Sequence, residues 1–236
     1  MNLLKQIAVF SMFLFLCSCA SKTPEKKIIT QPAELFINEI LSLNNSKFPS
    51  NGTGQLLVIT NDKIQKYKIA FASDGQNSVR LEILSPLGLP ALSIAYDGKK
   101  LYFRDNDGSN TKTFSNPSKV LKKTIGISPD LRIVSFLLTK KIFLIDFDNA
   151  FTNKISGETT LFLSSDRKKQ SLTLKKDSLG FLSEVKTRED KFTIDFKENG
   201  NFILISEKTG NKVFYSSESI SKIENEMLRN IFTLTR

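Results

Sequence analysis

The sequence predicts a mainly β protein of the α+β class, in which one curved antiparallel sheet is covered by helices. From Gly52 onward, short stretches of alternating apolar and polar residues are separated by turn sequences rich in Asp, Asn and Gly. The chain has 19 phenylalanines, 4 tyrosines and no tryptophan, so the inner face of the sheet is expected to be strongly apolar. Such a sheet can be filled solid or can enclose a cavity for an apolar ligand, and periodicity leaves both open.

The amino terminus has the pattern of a bacterial export signal. Lys5 precedes an apolar run at 7–16, which is too short to span a bilayer as a permanent helix. The residues Leu-Cys-Ser-Cys that end at Cys19 resemble the lipobox, whose cysteine is diacylated and becomes the first mature residue. We therefore expect residues 1–18 to be a lipoprotein signal peptide. The alternative is an ordinary signal peptide cleaved near Ala20, with Cys19 incidental.

Lipid attachment at Cys19 would anchor the protein durably, because each buried methylene of an acyl chain contributes about 0.8 kcal/mol. No aspartate stands at the second mature position, and by resemblance to the enterobacterial sorting rule this favours the outer membrane. Residues 19–31 are polar and rich in lysine, as expected of an acylated tether. Residues 32–236 show no linker or composition shift and are predicted to form a single domain.

Helices are predicted at the start and in the middle of this domain. Apolar residues recur at helical spacing over 32–43, and this stripe either covers the core or faces a membrane or partner. Residues 117–125 and 129–138 predict two short helices that act as a lid or plug over one mouth of the sheet. A polar helix is predicted around 217–228. The predicted strands are 56–59, 67–71, 79–84, 92–96, one from 101, 142–147, 159–163, 171–175, 181–186, 192–196, 202–206, 213–215 and 231–234.

Composition argues against an enzyme. Both cysteines belong to the signal and anchor, and the chain has no histidine, which removes the usual general base and the commonest zinc ligand. No G-x-S-x-G, S-x-x-K or P-loop spacing occurs, so a hydrolase using serine and lysine is a minor alternative. Asp105 to Gly108 matches half of an EF-hand loop but lacks the closing glutamate, which favours a hairpin turn. We expect no cofactor and no metal.

The net charge of +10 is spread along the chain instead of clustered. In an exported protein it suggests attraction to anionic lipid head groups, lipopolysaccharide phosphates or acidic partners. A general solubility bias is the alternative. Nucleic acid is not an expected partner outside the cytoplasm.

An unusually apolar turn lies between the predicted strands 79–84 and 92–96. Its sequence includes Pro86, Leu87, Gly88, Leu89 and a second proline, so it cannot continue a ladder. Either the two leucines fold back on the core, or they form a hydrophobic tip that enters something apolar.

The stretch Arg80-Leu81-Glu82-Ile83-Leu84-Ser85-Pro86-Leu87-Gly88 resembles the corresponding part of the outer-membrane lipoprotein receptor LolB and its relatives. The order of features agrees over most of the mature chain: lipobox, amphipathic helix, Gly52-x-Gly54, the Pro-Leu-Gly loop, the Asp107-Gly108 turn and the helix ending at Gly126. Phe71 stands where family members place a tryptophan.

This resemblance implies an unclosed β-barrel with helices as a lid around an apolar cavity. Such proteins take lipoprotein acyl chains from a periplasmic LolA-like carrier and deliver them to outer-membrane lipid, and we expect a monomer facing the periplasm. The family's loop leucine, required for delivery, corresponds to Leu87, with Leu89 possible as a helper. The expected cavity walls are Tyr67, Phe71, Leu81, Ile83, Leu92, Ile94 and Phe103 from the sheet, and Ile133 and Leu137 from the lid.

The alternative function is a LolB-like envelope lipoprotein that binds a lipid, glycan or protein partner without transferring anything. A cavity too small for one acyl chain would favour it, with the basic surface as the contact.

Overall fold

Strands dominate the part of the chain that the computed structural model describes, which is residues 28–61, 63–105, 111–117, 119–121, 129–155, 158–175, 180–224 and 231–232. The predicted signal peptide, Cys19 and the Asp107-Gly108 turn lie outside these residues. Helices α1 (Gln31–Asn45) and α2 (Leu131–Leu138) accompany a 14-stranded sheet. Its strands are β1 (Ile28–Ile29), β2 (Ser50–Ile59), β3 (Ile64–Ser73), β4 (Val79–Leu84), β5 (Pro90–Tyr96), β6 (Leu101–Asp105), β7 (Thr111–Phe114), β8 (Asn149–Ile155), β9 (Glu158–Ser164), β10 (Lys169–Leu174), β11 (Phe181–Lys186), β12 (Lys191–Phe196), β13 (Phe202–Ser206) and β14 (Lys212–Lys222).

The sheet consists of two meanders joined side by side. Strands β2 to β7 form the first meander and β8 to β14 the second, and the pairing of β14 with β2 connects them. β1 pairs in parallel with β8 at one edge, and β7 forms the other edge. Because these edges do not pair with each other, the curved sheet is not closed. The predicted mainly β, unclosed antiparallel sheet with helices is confirmed.

Alternate hairpins of an antiparallel meander leave from the same edge of the sheet. The edge that carries the β4–β5 loop is called the loop rim here. It also carries the β2–β3, β9–β10, β11–β12 and β13–β14 connections. The amino end of β1 points to the same rim, because Ile28 pairs with Asn149 and Asn149 pairs with Ser164, the last residue of β9.

The main core fills the concave side of the second meander and extends onto β2, β3 and β4 of the first. Phe192, Ile194 and Phe196 point inward and are buried, in the alternation that the sequence predicts. Helix α1 covers this core with Ala33 and Ile40, both fully buried. One side of the helix therefore serves as core cover, while Leu35, Leu41 and Leu43 stay 66%, 47% and 37% exposed.

Residues 142–147 were predicted to form a strand, and this prediction is wrong. The segment pairs with no strand, and buried side-chain amides replace the missing ladder. Asn44 donates to the Ile142 carbonyl and accepts from its amide, each at 2.8 Å. Gln170 accepts from the Ile145 amide at 2.9 Å and donates to the Phe143 carbonyl at 2.8 Å. The segment can thus cross the interior with its polar backbone groups satisfied.

The predicted polar helix around 217–228 is also wrong over its described part, because β14 runs on to Lys222. Its polar second half pairs with Ser50 to Gly54 of β2, with a register shift between Ser217 and Ser219. Tertiary pairing overrides weak local preference here. Ile231, predicted to begin a last strand, is helical.

Candidate functional site

The loop between β4 and β5 holds Leu87 in a defined position. The Gly88 amide donates to the Ser85 carbonyl at 2.9 Å, and the Ser85 amide donates to the Leu89 carbonyl at 2.8 Å. Pro86 restricts its own φ, and Gly88 adopts a φ of 79°, a left-handed conformation that glycine tolerates best. The loop is therefore preorganised by its own backbone.

The two leucines of this loop point into solvent. Leu87 is 87% exposed and Leu89 is 63% exposed, so neither folds back on the core. Exposed apolar side chains on a fastened turn are the arrangement expected of a tip that enters an apolar phase. Its insertion into a bilayer stays a prediction.

The predicted cavity residues of the sheet lie together on the concave face of the first meander. Phe71 pairs with Leu81, Leu81 with Ile94, and Ile94 with Phe103, which makes one row across four adjacent strands. The register places all seven on one face, which we call the concave wall: Tyr67, Phe71, Leu81, Ile83, Leu92, Ile94 and Phe103.

The concave wall is apolar but only partly covered. Phe71 is buried, at 4% exposure, while the other six residues are half-buried. Phe103 packs edge-on against Phe114 of β7, with ring centroids 5.6 Å apart. Tyr67, Leu81 and Ile83 pack against the main core. Ile94 and Phe103 pack against a second cluster around Leu101. The wall can therefore offer an apolar ligand only the exposed part of its half-buried side chains.

The lid residues of the predicted cavity are on α2. Ile133 and Leu137 are each 1% exposed and belong to the main core, where α2 lies against β3 and β4. Asp130 caps the helix by accepting a hydrogen bond from the Arg132 amide at 3.1 Å. The second predicted helix is thus present from residue 131. Of the first, residues 117 and 119–121 are helical, and 122–125 lie outside the described residues.

The interior beside the second meander is filled by its own side chains. Phe181 stacks on Phe196 with ring centroids 5.0 Å apart, and Leu161 and Leu172 are fully buried. The sequence left a solid and a hollow sheet as alternatives. The second meander has a solid interior, and the concave wall of the first is half-buried against the main core and a second cluster.

Charged groups lie around α2 and also at the border of the concave wall, where Asp105 pairs with Leu92 and Lys112 pairs with Phe103. Burial alone would raise the pKa of the Asp130 carboxyl, but the Arg132 guanidinium and Lys168 hold that pKa below its ordinary value. Burial lowers the pKa of Lys141 against the opposing effect of Asp74. Within the described residues no group of Asp, Glu, His or Cys could hold a metal ion, and no helix is long and apolar enough to cross a membrane.

Known structures share this architecture. A LolA superfamily protein from Nitrosomonas europaea matches with a TM-score of 0.53 at 12% identity, over 85% of this chain and 97% of that one. The fold is LolA-like. A DUF1329 family protein from Desulfovibrio piger matches with a TM-score of 0.55 at 9% identity, over 83% and 95% of the two chains.

A candidate outer membrane lipoprotein-sorting protein domain from Vibrio parahaemolyticus is similar as well, with a TM-score of 0.51 at 10% identity over 80% of this chain and 94% of that one. No protein-family model matches the sequence, and no curated protein matches it. At these identities the likeness establishes the fold.

Sequence reasoning missed several residues of the site. Phe114 and Tyr96 pack beside the concave wall, and Ile64 stands exposed on the neighbouring hairpin. Phe114 ends the short, largely polar sequence Thr-Lys-Thr-Phe, which is too short a run to predict a strand. Ile64 follows Lys63 in a polar stretch and shares a strand face with Lys66 and Lys68, so the local pattern does not mark it as part of an apolar surface.

Proposed function

We propose that this chain is an outer-membrane lipoprotein that accepts the acyl chains of other lipoproteins from a periplasmic LolA-like carrier and promotes their insertion into the outer membrane. Cys19 would carry its own lipid anchor and hold the domain on the periplasmic face. The observation that carries the proposal is the exposed Leu87, fixed on a loop whose flanking strands β4 and β5 also supply much of the concave wall.

The physical requirement is that the acyl chain stays shielded from water during transfer. An acyl chain of about fifteen carbons, at about 0.8 kcal/mol for each methylene, cannot cross water at a useful rate. The concave wall offers half-buried apolar side chains to such a chain. Leu87, entering the bilayer beside it, would disturb lipid packing at the point of release. Transfer down an affinity gradient needs no nucleotide or cofactor.

Replacing Leu87 with glutamate tests this function directly. Because Leu87 makes little contact with the core, Leu87→Glu should leave folding and acyl-chain binding intact while abolishing delivery of cargo to liposomes. The matched control is Leu35→Glu, the same change at another exposed leucine on α1, which should deliver normally. Normal delivery by Leu87→Glu would overturn the proposed mechanism.

One observation favours a second function, the binding of a lipid, glycan or protein partner without transfer. The interior beside the second meander is filled by side chains of the described residues, which leaves the half-buried concave wall as the apolar surface on that side of the sheet. Native mass spectrometry of the purified protein separates the two functions. Co-purified fatty acid or lipid that the protein passes on to liposomes supports transfer, while a protein that binds a lipid, glycan or protein partner and delivers nothing to liposomes supports the second function.

A further inference from the structure

Apolar side chains also cover part of the convex face of the sheet, where a solvated face would be polar. Ile59 pairs with Ile64, Leu57 with Phe214, and Phe214 with Ile203, so these five residues lie side by side around the β2–β14 junction. A surface cleft of about 370 Å³ borders Leu57, Ile203 and Phe214. We call these five residues the convex patch.

The convex patch reaches the loop rim beside Leu87. Lys68 of β3 pairs with Leu84, the last residue before the Leu87 loop, and β3 extends from there back to Ile64. At about 3.4 Å per residue, the β2–β3 hairpin projects roughly 13 Å past Leu84. Neighbouring hairpins are about 10 Å apart. Ile64, 72% exposed, therefore lies on the hairpin next to the one that carries Leu87, at the same rim.

Cationic side chains flank the exposed apolar tip. Lys66 pairs with Leu57, and Lys212 pairs with Ile59, so both border the convex patch on its own face. Lys66, Lys68 and Lys212 are exposed, and none of the ion pairs between described residues involves them. Exposed apolar residues bordered by lysines complement the interface of a bilayer that contains anionic lipids.

The position of the first described residues also favours a membrane contact at the loop rim. The amino end of β1 lies at the loop rim, since the Ile28 amide donates to the Asp148 carbonyl at 3.1 Å just before β8 begins. The residues between Cys19 and Ile28 therefore join the domain at the rim that carries Ile64 and Leu87.

We infer that the convex patch and its lysines form a second bilayer contact, selective for anionic head groups, next to the Leu87 loop. This contact deepens the proposed function and rests on it. Two neighbouring contacts would fix the rotation of the domain on the membrane, which a single inserted loop leaves free. The mouth of the concave wall would then be held toward the lipid.

The absence of tryptophan from the sequence makes a clean test possible. Ile64→Trp, Leu87→Trp and Glu198→Trp each give the full chain one unique fluorophore, the last on an exposed turn at the opposite edge of the sheet. The chains are mixed with vesicles of phosphatidylcholine and phosphatidylglycerol that carry brominated acyl chains as quenchers. We expect a blue shift and quenching at positions 64 and 87, and neither at 198.

The outcomes separate this inference from the proposed function. A response at 87 without one at 64 overturns the second contact and leaves the loop in place, while no response at 87 counts against the proposed function itself. A concentration-dependent blue shift at 64 without vesicles would mean that a second copy covers the patch, and would overturn the inference.

The lysines are tested by charge reversal. Lys66→Glu with Lys68→Glu should weaken binding to anionic vesicles by at least roughly tenfold, since each lysine near such a surface contributes about fivefold. Binding to pure phosphatidylcholine should change little. Equal weakening on both vesicles would overturn the selectivity for anionic lipid.

Discussion

The side-chain oxygen of Ser135 on α2 lies 2.7 Å from that of Ser73 on β3, and both residues are fully buried. The Ser73 hydroxyl also lies 2.8 Å from the Ser135 carbonyl, and that of Ser135 lies 3.0 Å from the Ser78 carbonyl. This polar network fastens α2 to the turn between β3 and β4. It fixes the position from which Ile133 and Leu137 enter the core.

Removing this fastening should loosen the lid. Ser135→Ala leaves Ser73 short of one buried partner, so we expect the free energy of unfolding to fall by about 1–3 kcal/mol. Denaturant titration measures the loss, and hydrogen exchange should show faster exchange in α2. Ser221→Ala, on an exposed part of β14, is the control and should change little. Equal stability of the two variants would contradict the role of the network.

Gly54 has no room for a side chain. A Cβ atom there would stand 2.6 Å from a ring carbon of Tyr215 and 2.5 Å from the Ser216 carbonyl oxygen. Because the second contact is with backbone, Gly54→Ala should cost about 1–3 kcal/mol of stability by overpacking. Thermal unfolding measures it. Gly88→Ala, where nothing lies within 4 Å, should cost only the strain of a positive φ, about 1 kcal/mol.

The ion pairs of Asp130 should make the free energy of unfolding decrease as the pH is lowered into the acid range. Arg132 and Lys168 lower the pKa of Asp130 in the folded state, so the stabilisation is present above its unfolded pKa of about 3.9 and is lost as pH falls through the lower folded value. Asp130→Asn keeps a helix-capping side chain but removes the charge. We expect it to be less stable at neutral pH by about 1–2 kcal/mol and to show a weaker acid dependence.

Unfolding curves at neutral and acidic pH check this expectation. Asp166→Asn, on an exposed turn, provides the control for loss of one negative charge. An acid dependence in Asp130→Asn as steep as in the parent chain would contradict the prediction.

Tyr215 should limit stability at high pH. Burial raises its pKa to about 12, so its contribution is intact below the unfolded pKa of about 10 and is lost as pH rises through about 12. Tyr215→Phe removes the ionisable group while keeping the ring that packs on Phe202 at 5.0 Å. Between neutral and alkaline pH, the unfolding free energy of Tyr215→Phe should therefore fall less than that of the parent chain. Tyr67→Phe is the matched substitution on the concave wall.

The concave wall should bind apolar ligands through Leu92. Leu92→Asp places a carboxylate on the half-buried wall, and we expect a fluorescent fatty acid to bind at least roughly tenfold more weakly. Leu182→Asp makes the same change on the convex face, at a residue that is 41% exposed, and should bind normally. Circular dichroism confirms folding of both. Unchanged binding by Leu92→Asp would place the ligand elsewhere.

Local periodicity predicted the hairpins well and the long-range pairings poorly. Residues 79–84 form a strand as predicted, because alternation and flanking turns agree there. Residues 142–147 are an apolar run of strand length. The amides of Asn44 and Gln170, distant in sequence, nevertheless take the place of a neighbouring strand. Nothing in the local pattern signals such partners.

The residues of the candidate site likewise fall into those that local alternation predicts and those that only long-range strand pairing brings together. Alternation was enough to place Leu81, Ile94 and Phe103 on one face, and the loop composition pointed to Leu87. The convex patch was missed because its five residues come from four strands, each of which contributes only one or two of them. Only the register between β2, β3, β13 and β14 brings them together.

The pairing of Ile28 with Asn149 also fixes the point at which the segment that follows Cys19 joins the domain. From Cys19 to Ile28 the chain can span at most about 30 Å, roughly the thickness of a bilayer's hydrocarbon core. With Cys19 acylated, the domain would be confined to a thin layer above the lipid and could diffuse only parallel to the membrane. A soluble carrier would then have to diffuse across the periplasm. Its encounter with the anchored domain would be a search over a surface instead of a volume.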